Sequence, residues 1–309
     1  MKPQTKKILQ IGLLIIIVIL AGIYVKNNIS DFKKLEIINP FYFVILLILF
    51  LINYVIIGEI SKKSIQVFNI NLSNVETFWL SIANGFYNLI TPLRGGIASR
   101  AIYLKKKYKL SYTEFLGTVV ATSLAIVFAS GILGLIAIIT IYFQTKIFGT
   151  ILFIIFLGMT ILSTLVILFS PKFKETKIGF LNRFVKLLNA WHSIRKNKKM
   201  ILIILILTTI QILISSLALK YQFLVFGVEI DFIKAMMLSS IAGASIVISL
   251  TPANLGISEA ITIFSAQTIG ISPVYSLSAS LIGRVLQFVV LFILGPIASY
   301  KLIKTGKKK

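Results

Sequence analysis

Four charged side chains stand within or between long apolar stretches of the sequence: Arg94, Arg100, Glu259 and Arg284. A charge at membrane depth costs about 3 kcal/mol or more, so such positions are functional candidates by default. Three arginines against one acid favour an anion, because the guanidinium grips phosphate or carboxylate through a planar fork of donors. Arg94 sits in a chain break, Thr91-Pro92-Leu93-Arg94-Gly95-Gly96, and Arg100 lies on the half-helix that follows. Glu259 follows a second break, Thr251-Pro252-Ala253-Asn254-Leu255-Gly256. Arg284 falls about ten residues into the last apolar run, roughly 15 Å deep at the helical rise.

Polar neighbours complete the candidate binding set. Ser81, Asn84, Asn88 and Thr91 recur at helical spacing and form one stripe, and Asn254 lies in the second break. The returning half-helices start at Gly96 and Gly256, and a helix N-terminus offers N–H groups and a positive dipole end to an anion. Each group also has a structural role open to it. Glu259 can pair with Arg284 or Arg100 and stabilise its own helix, Arg100 can reach the interface along its aliphatic stem, and the stripe can bond neighbouring helices.

The elements that must position these residues are membrane helices. Of the 309 residues 57% are hydrophobic and only 13% charged, and the mean hydropathy is +0.97. Apolar blocks at 8–25, 41–58, 115–143, 147–169 and 200–219 are nearly free of charge, and about 20 such residues cross the hydrocarbon. A cleaved signal peptide is disfavoured for the first block, since Lys26-Asn27-Asn28 follows it rather than small residues. There is no cysteine and His192 is the single histidine. Disulfides, thiolate metal sites and a thiol nucleophile are excluded, and neither a metal nor a cofactor is expected. The net charge of +23 lies between apolar blocks. It therefore points to cytoplasmic loops and anionic lipid rather than to nucleic acid.

Charge also sets the expected topology. Lys2, Lys6 and Lys7 place the N-terminus inside; Lys62 and Lys63 follow the second crossing. The segment 75–90 looks like a third crossing, yet the basic run Arg94, Arg100, Lys105, Lys106, Lys107 and Lys109 follows it. A re-entrant hairpin resolves the conflict: 75–90 enters, the chain breaks at Pro92, Gly95 and Gly96, and 97–104 returns to the same side. Such irregular backbone is tolerated only inside protein or beside a wet cavity. Crossings at 115–143 and 147–169 lead to the stretch 171–199, which carries nine Lys/Arg against Glu175. There Leu181, Phe184, Val185, Leu188 and Trp191 recur at helical spacing, as in a cytoplasmic amphipathic surface helix. A second hairpin, 235–250 and 257–270 around Pro252 and Gly256, opens to the outside. The span 275–303 ends in basic residues inside.

The fold expected is therefore an all-α polytopic membrane protein, one domain over 1–309. It has six spanning helices, two re-entrant helical hairpins and both termini in the cytoplasm, in the cell (inner) membrane. The motif Thr-Pro-x-x-x-Gly-Ile occurs at Thr91 and again at Thr251. With three crossings per half, the halves 8–143 and 147–303 form an inverted repeat, as in many secondary transporters.

Around these breaks the sequence resembles the transmembrane (flippase) region of the lysylphosphatidylglycerol synthase family and its stand-alone relatives. The family's Gly-Glu-x-x-Arg motif corresponds to Gly96-Ile97-Ala98-Ser99-Arg100, with Ile97 in place of Glu. Its second motif corresponds closely to Pro252-Ala253-Asn254-Leu255-Gly256-Ile257-Ser258-Glu259. A family Glu-Arg pair falls near Thr122 and Ser123 and is missing. The synthase members carry a soluble aminoacyl-transfer domain after this region, whereas this sequence stops at Lys309. The resemblance thus implies translocation or binding of an anionic phospholipid or polyprenyl-phosphate-linked lipid rather than enzymatic synthesis. Membrane lipids are the expected partners, and a homodimer is implied by analogy with the larger relatives. The rival reading is a membrane enzyme, accessory or scaffold in cell-envelope glycan or glycolipid biosynthesis. An enzyme would need clustered carboxylates or histidine, whereas the nine acids are scattered singly.

Overall fold

The computed structural model describes residues 36–91, 94–169, 194–245 and 251–306, together with 26, 29, 30, 174, 185, 189, 191 and 192. The described chain is helical: α1 Phe41–Gln66, α2 Asn74–Ile90, α3 Gly95–Tyr108, α4 Tyr112–Thr145, α5 Thr150–Phe169, α6 Lys198–Leu224, α7 Phe232–Ser245, a 3-10 turn Pro252–Asn254, α8 Ile257–Gln267 and α9 Pro273–Gly306. Five of these helices are long and apolar enough to cross a membrane: α1, α4, α5, α6 and α9. They coincide with five of the six expected crossings. The other, 8–25, lies outside the described residues, as do Pro92, most of the basic stretch before residue 194 and the terminal lysines.

Local signals start the helices. Ser73 accepts the Glu76 N–H at 3.2 Å to begin α2. Ser111 and Glu114 cap α4 reciprocally, each side chain bonding the other's backbone N–H. Helix α1 runs past the apolar block to Gln66 because Lys62 and Lys63 remain good helix formers beyond the hydrocarbon.

Helices α1 and α6 run antiparallel. The Ile38 N–H donates to the Val225 carbonyl at 3.0 Å at one end. Near mid-length the Asn53 amide donates to Ser215 Oγ at 2.9 Å. Helices α4 and α5 pack through Gly131 and Gly134, whose missing side chains make room for Phe156 and Thr160.

Around this frame sit two helical hairpins. In the first, α2 and α3 lie side by side and Gly96 meets the backbone of Asn84 so closely that a Cβ would collide with its carbonyl oxygen. The open end of this hairpin is tied at Glu76. Its carboxylate accepts from the Tyr103 hydroxyl at 2.7 Å and the Tyr108 hydroxyl at 2.8 Å, and pairs with Lys107 at 2.9 Å. Burial, then the neighbouring carboxylate, push both phenols up from their ordinary value, so both remain protonated donors. Helices α7 and α8 form the second hairpin, with Ala235 and Ala266 in one apolar cluster.

The hairpins occupy opposite ends of the molecule. The first packs with Phe115 near the start of α4 and with Leu291, Ala298 and Leu302 in the C-terminal half of α9. The second packs with Ala137, Ile138 and Ile141 in the C-terminal half of α4 and with Ala279 near the start of α9. The two 34-residue helices thus exchange roles between the hairpins.

Most of the amphipathic stretch expected on the inner surface lies outside the described residues. At its end Trp191 and Ile194 pack against Ala121, Leu124 and Ile201 on α4 and α6, and Trp191 is 1% exposed. Protein surface offers the indole closer packing than fluid acyl chains do. Arg195 donates to the Leu168 carbonyl and so caps α5.

Gly96→Ala is expected to destabilise the purified protein by about 1 to 3 kcal/mol, since the added methyl meets backbone. Gly158→Ala, with nothing within 4 Å of the new carbon, should be neutral. Thermal unfolding in detergent compares the two; equal melting would show that α3 does not lie on α2 as described.

Candidate anion site between the hairpins

Two cavities meet at the breaks. The first, about 280 Å³, is lined by Asn84, Asn88, Arg94, Arg100, Thr122 and Ser123 among others. The second, about 330 Å³, is lined among others by Ser239, Ser258, Glu259, Thr262 and Arg284. Tyr54, Gln211, Asn254 and Gln287 line both. All seven sequence-predicted binding residues therefore border one cavity or the other, and Asn254 borders both.

The four charges divide into two pairs of different character. Glu259 and Arg284 are committed to each other and to backbone. Arg284 Nε donates to Glu259 Oε1, and Glu259 Oε2 accepts the Gly256 N–H at 2.7 Å. The same guanidinium donates to the Ala253 carbonyl at 2.9 Å, the Gln287 side chain at 3.1 Å and the Asn254 carbonyl at 3.4 Å. Ala253 and Asn254 have left-handed backbone, with φ of 47° and 60°. Such conformations cost about 1 to 2 kcal/mol per residue. Arg284 thus holds a strained break closed, and Glu259 takes the structural role open to it.

Among the described residues Arg94 and Arg100 have no carboxylate partner. Arg100 donates to Ser61 Oγ on α1 at 2.7 Å and lies over the Phe115 ring at 5.1 Å. It turns into the bundle instead of reaching the interface. Its Nε is buried without a partner, and so is Arg94 Nη2. Arg94 is itself left-handed, with φ of 57°, and immediately precedes α3. Among the described residues lining the first cavity there is no acid. Ile97, Thr122 and Ser123, where this chain departs from the resembling sequences, all line it.

Some of the N–H groups at the half-helix starts are spent internally, two at the first and the cap residue's at the second. Asn88 Oδ1 accepts the Gly96 N–H at 3.0 Å, the Ile97 N–H bonds the Arg94 carbonyl at 2.9 Å, and Glu259 takes the Gly256 N–H. Broken backbone inside protein must be satisfied at once, and nearby side chains do so. Anion contact in the first cavity therefore falls to the guanidinium groups. The polar stripe splits likewise. Ser81 bonds the Tyr54 carbonyl at 2.7 Å and Thr91 bonds the Tyr87 carbonyl. Asn84 Oδ1 is buried without a partner.

Sequence reading passed over Tyr54, Gln211 and Gln287. Lone amides in the middle of long apolar helices were the available signal for the last two, because a buried amide demands partners. Glu76 was also passed over, although Ser73-x-x-Glu76 has the spacing of a helix start.

Breaking a buried ion pair leaves one charge stranded and costs about 3 to 5 kcal/mol. Glu259→Gln or Arg284→Met should each lower stability in detergent by about that much. The double variant should recover part of the loss. Additive losses would show that the pair is not coupled.

A search of curated proteins and a search of solved structures each gave no match. The family model described as lysylphosphatidylglycerol synthase TM region matches residues 9–295. Four of the five long apolar helices lie inside that match and the fifth, α9, begins in it; the chain is an integral, multi-pass membrane protein and belongs to the lysylphosphatidylglycerol synthase TM region family.

Proposed function

We propose that the protein is a transporter-like lipid handler of the cytoplasmic membrane and not an enzyme. It takes the headgroup of an anionic phospholipid or polyprenyl-phosphate-linked lipid into the first cavity. The observation that carries this reading is the pair Arg94 and Arg100, two arginines that line a cavity with no acid among its described lining residues. Charge at membrane depth without a partner is expensive, and an anionic headgroup would supply the partner.

In this reading the hairpins are re-entrant and the halves form an inverted repeat, with six crossings and both termini in the cytoplasm. The reciprocal packing supports it: α2 lies along the C-terminal half of α9 as α7 lies along that of α4. The contact of Glu76 with Tyr108 supports it too, since it returns the chain to the end at which α2 began. Polar side chains shared by the two cavities stand where a headgroup would pass from one to the other.

Reconstitution into vesicles with fluorescent anionic phospholipid tests this. The native chain should accelerate transfer between leaflets, and Arg94→Ala or Arg100→Ala should reduce it about tenfold or more, the loss expected for a charge-assisted contact. Transfer that survives both substitutions would remove the site. Cysteine placed at Lys106 should label from the cytoplasmic side and at Ser272 from the opposite side; the reverse at either would remove the topology.

A further inference from the structure

We propose that the first cavity is built for a doubly charged phosphate, such as a phosphomonoester or the end of a diphosphate, and discriminates against phosphodiester and aminoacylated headgroups. This rests on the anion-site reading above and specifies its substrate class. The basis is a charge count by cavity. The first cavity has two guanidinium groups and no carboxylate among its described lining residues. The second has one of each, joined in an ion pair. The two cavities share part of their lining and differ in charge, and that difference bears on what each can hold.

A phosphodiester brings one negative charge and leaves one guanidinium unbalanced at depth. A terminal phosphate brings close to two charges and three acceptor oxygens. Two arginines, Arg94 and Arg100, line the cavity to receive them. Around them the lining is uncharged, with the polar side chains Asn84, Thr122, Ser123 and Thr208 set among aliphatic ones. An aminoacyl headgroup would set its ammonium beside Arg94 and Arg100 with no acid to receive it. At about 280 Å³ the space is at the small end for ligand sites, suited to a compact headgroup while acyl chains stay in lipid.

The experiment measures binding by the detergent-solubilised full chain, using native mass spectrometry and thermal shift. The probes are short-chain phosphatidic acid, phosphatidylglycerol, lysylphosphatidylglycerol and phosphatidylcholine, with inorganic pyrophosphate as a free anion. Phosphatidic acid should bind about tenfold tighter than phosphatidylglycerol near neutral pH. Lysylphosphatidylglycerol and phosphatidylcholine should bind weakest. The preference should shrink between about pH 8 and about pH 5.5, as the second phosphate proton returns. Ile97→Glu, which adds an acid to the cavity wall, should abolish the preference while leaving the Glu259–Arg284 pair and the fold intact. Pyrophosphate that competes with phosphatidic acid at equal affinity would support the charge preference and assign the ligand to a free anion rather than a lipid. Equal binding of phosphatidic acid and phosphatidylglycerol, with both lost in Arg94→Gln and Arg100→Gln, would overturn this inference and leave the anion site standing. Binding of every lipid unchanged in those variants would overturn both.

Discussion

Backbone that leaves the helix inside a water-poor bundle must find its hydrogen bonds there, and the rest of this structure follows from that requirement. Two chain breaks meet the demand by different means. At the second, one arginine spans the turn, donating to two carbonyls while a carboxylate balances its charge and takes the first N–H of the next helix. At the first, Asn88 and Thr91 on the preceding helix bond local backbone. Neither of these two bonds uses a charged side chain.

The contrast explains why like-looking motifs have unlike chemistry. Pro252 to Glu259 closely follows the family pattern, and the structure spends Glu259 on stabilising the break. In the first half the acid is absent at Ile97, and the break is held by amides and hydroxyls. With Ile97 in the wall of a hairpin of this shape, the first cavity has no acid among its described lining residues. Gly96 preserves that shape, since the close approach of α3 to α2 leaves no room for a side chain.

Much of the fold was legible in the sequence because the bilayer imposes a simple length and polarity rule. The crossings at 41–58 and 115–143 each sit inside a helix of the structure, and the breaks fall at the Pro-Gly clusters. The seven candidate binding residues were recognisable as polar groups where such groups are costly. What each one bonds was not legible. Whether Glu259 would meet Arg284 or Arg100 depends on which long helix packs beside α8. Likewise Trp191 lies on an apolar face that reads alike for lipid and for protein. Tyr54 was hidden for a further reason: its side chain matters through its place at the meeting of two cavities, and no spacing in the sequence encodes that.

Helices α4 and α9 each touch both hairpins, one at either extremity. A helix held this way would act as a see-saw, with Pro296 the place at which α9 can bend. Any tilt about its midpoint carries the two ends in opposite senses, so a movement that loosens the bundle around one hairpin tightens it around the other. Because α4 and α9 are shared in this way, the packing around the two hairpins cannot change independently if either helix tilts.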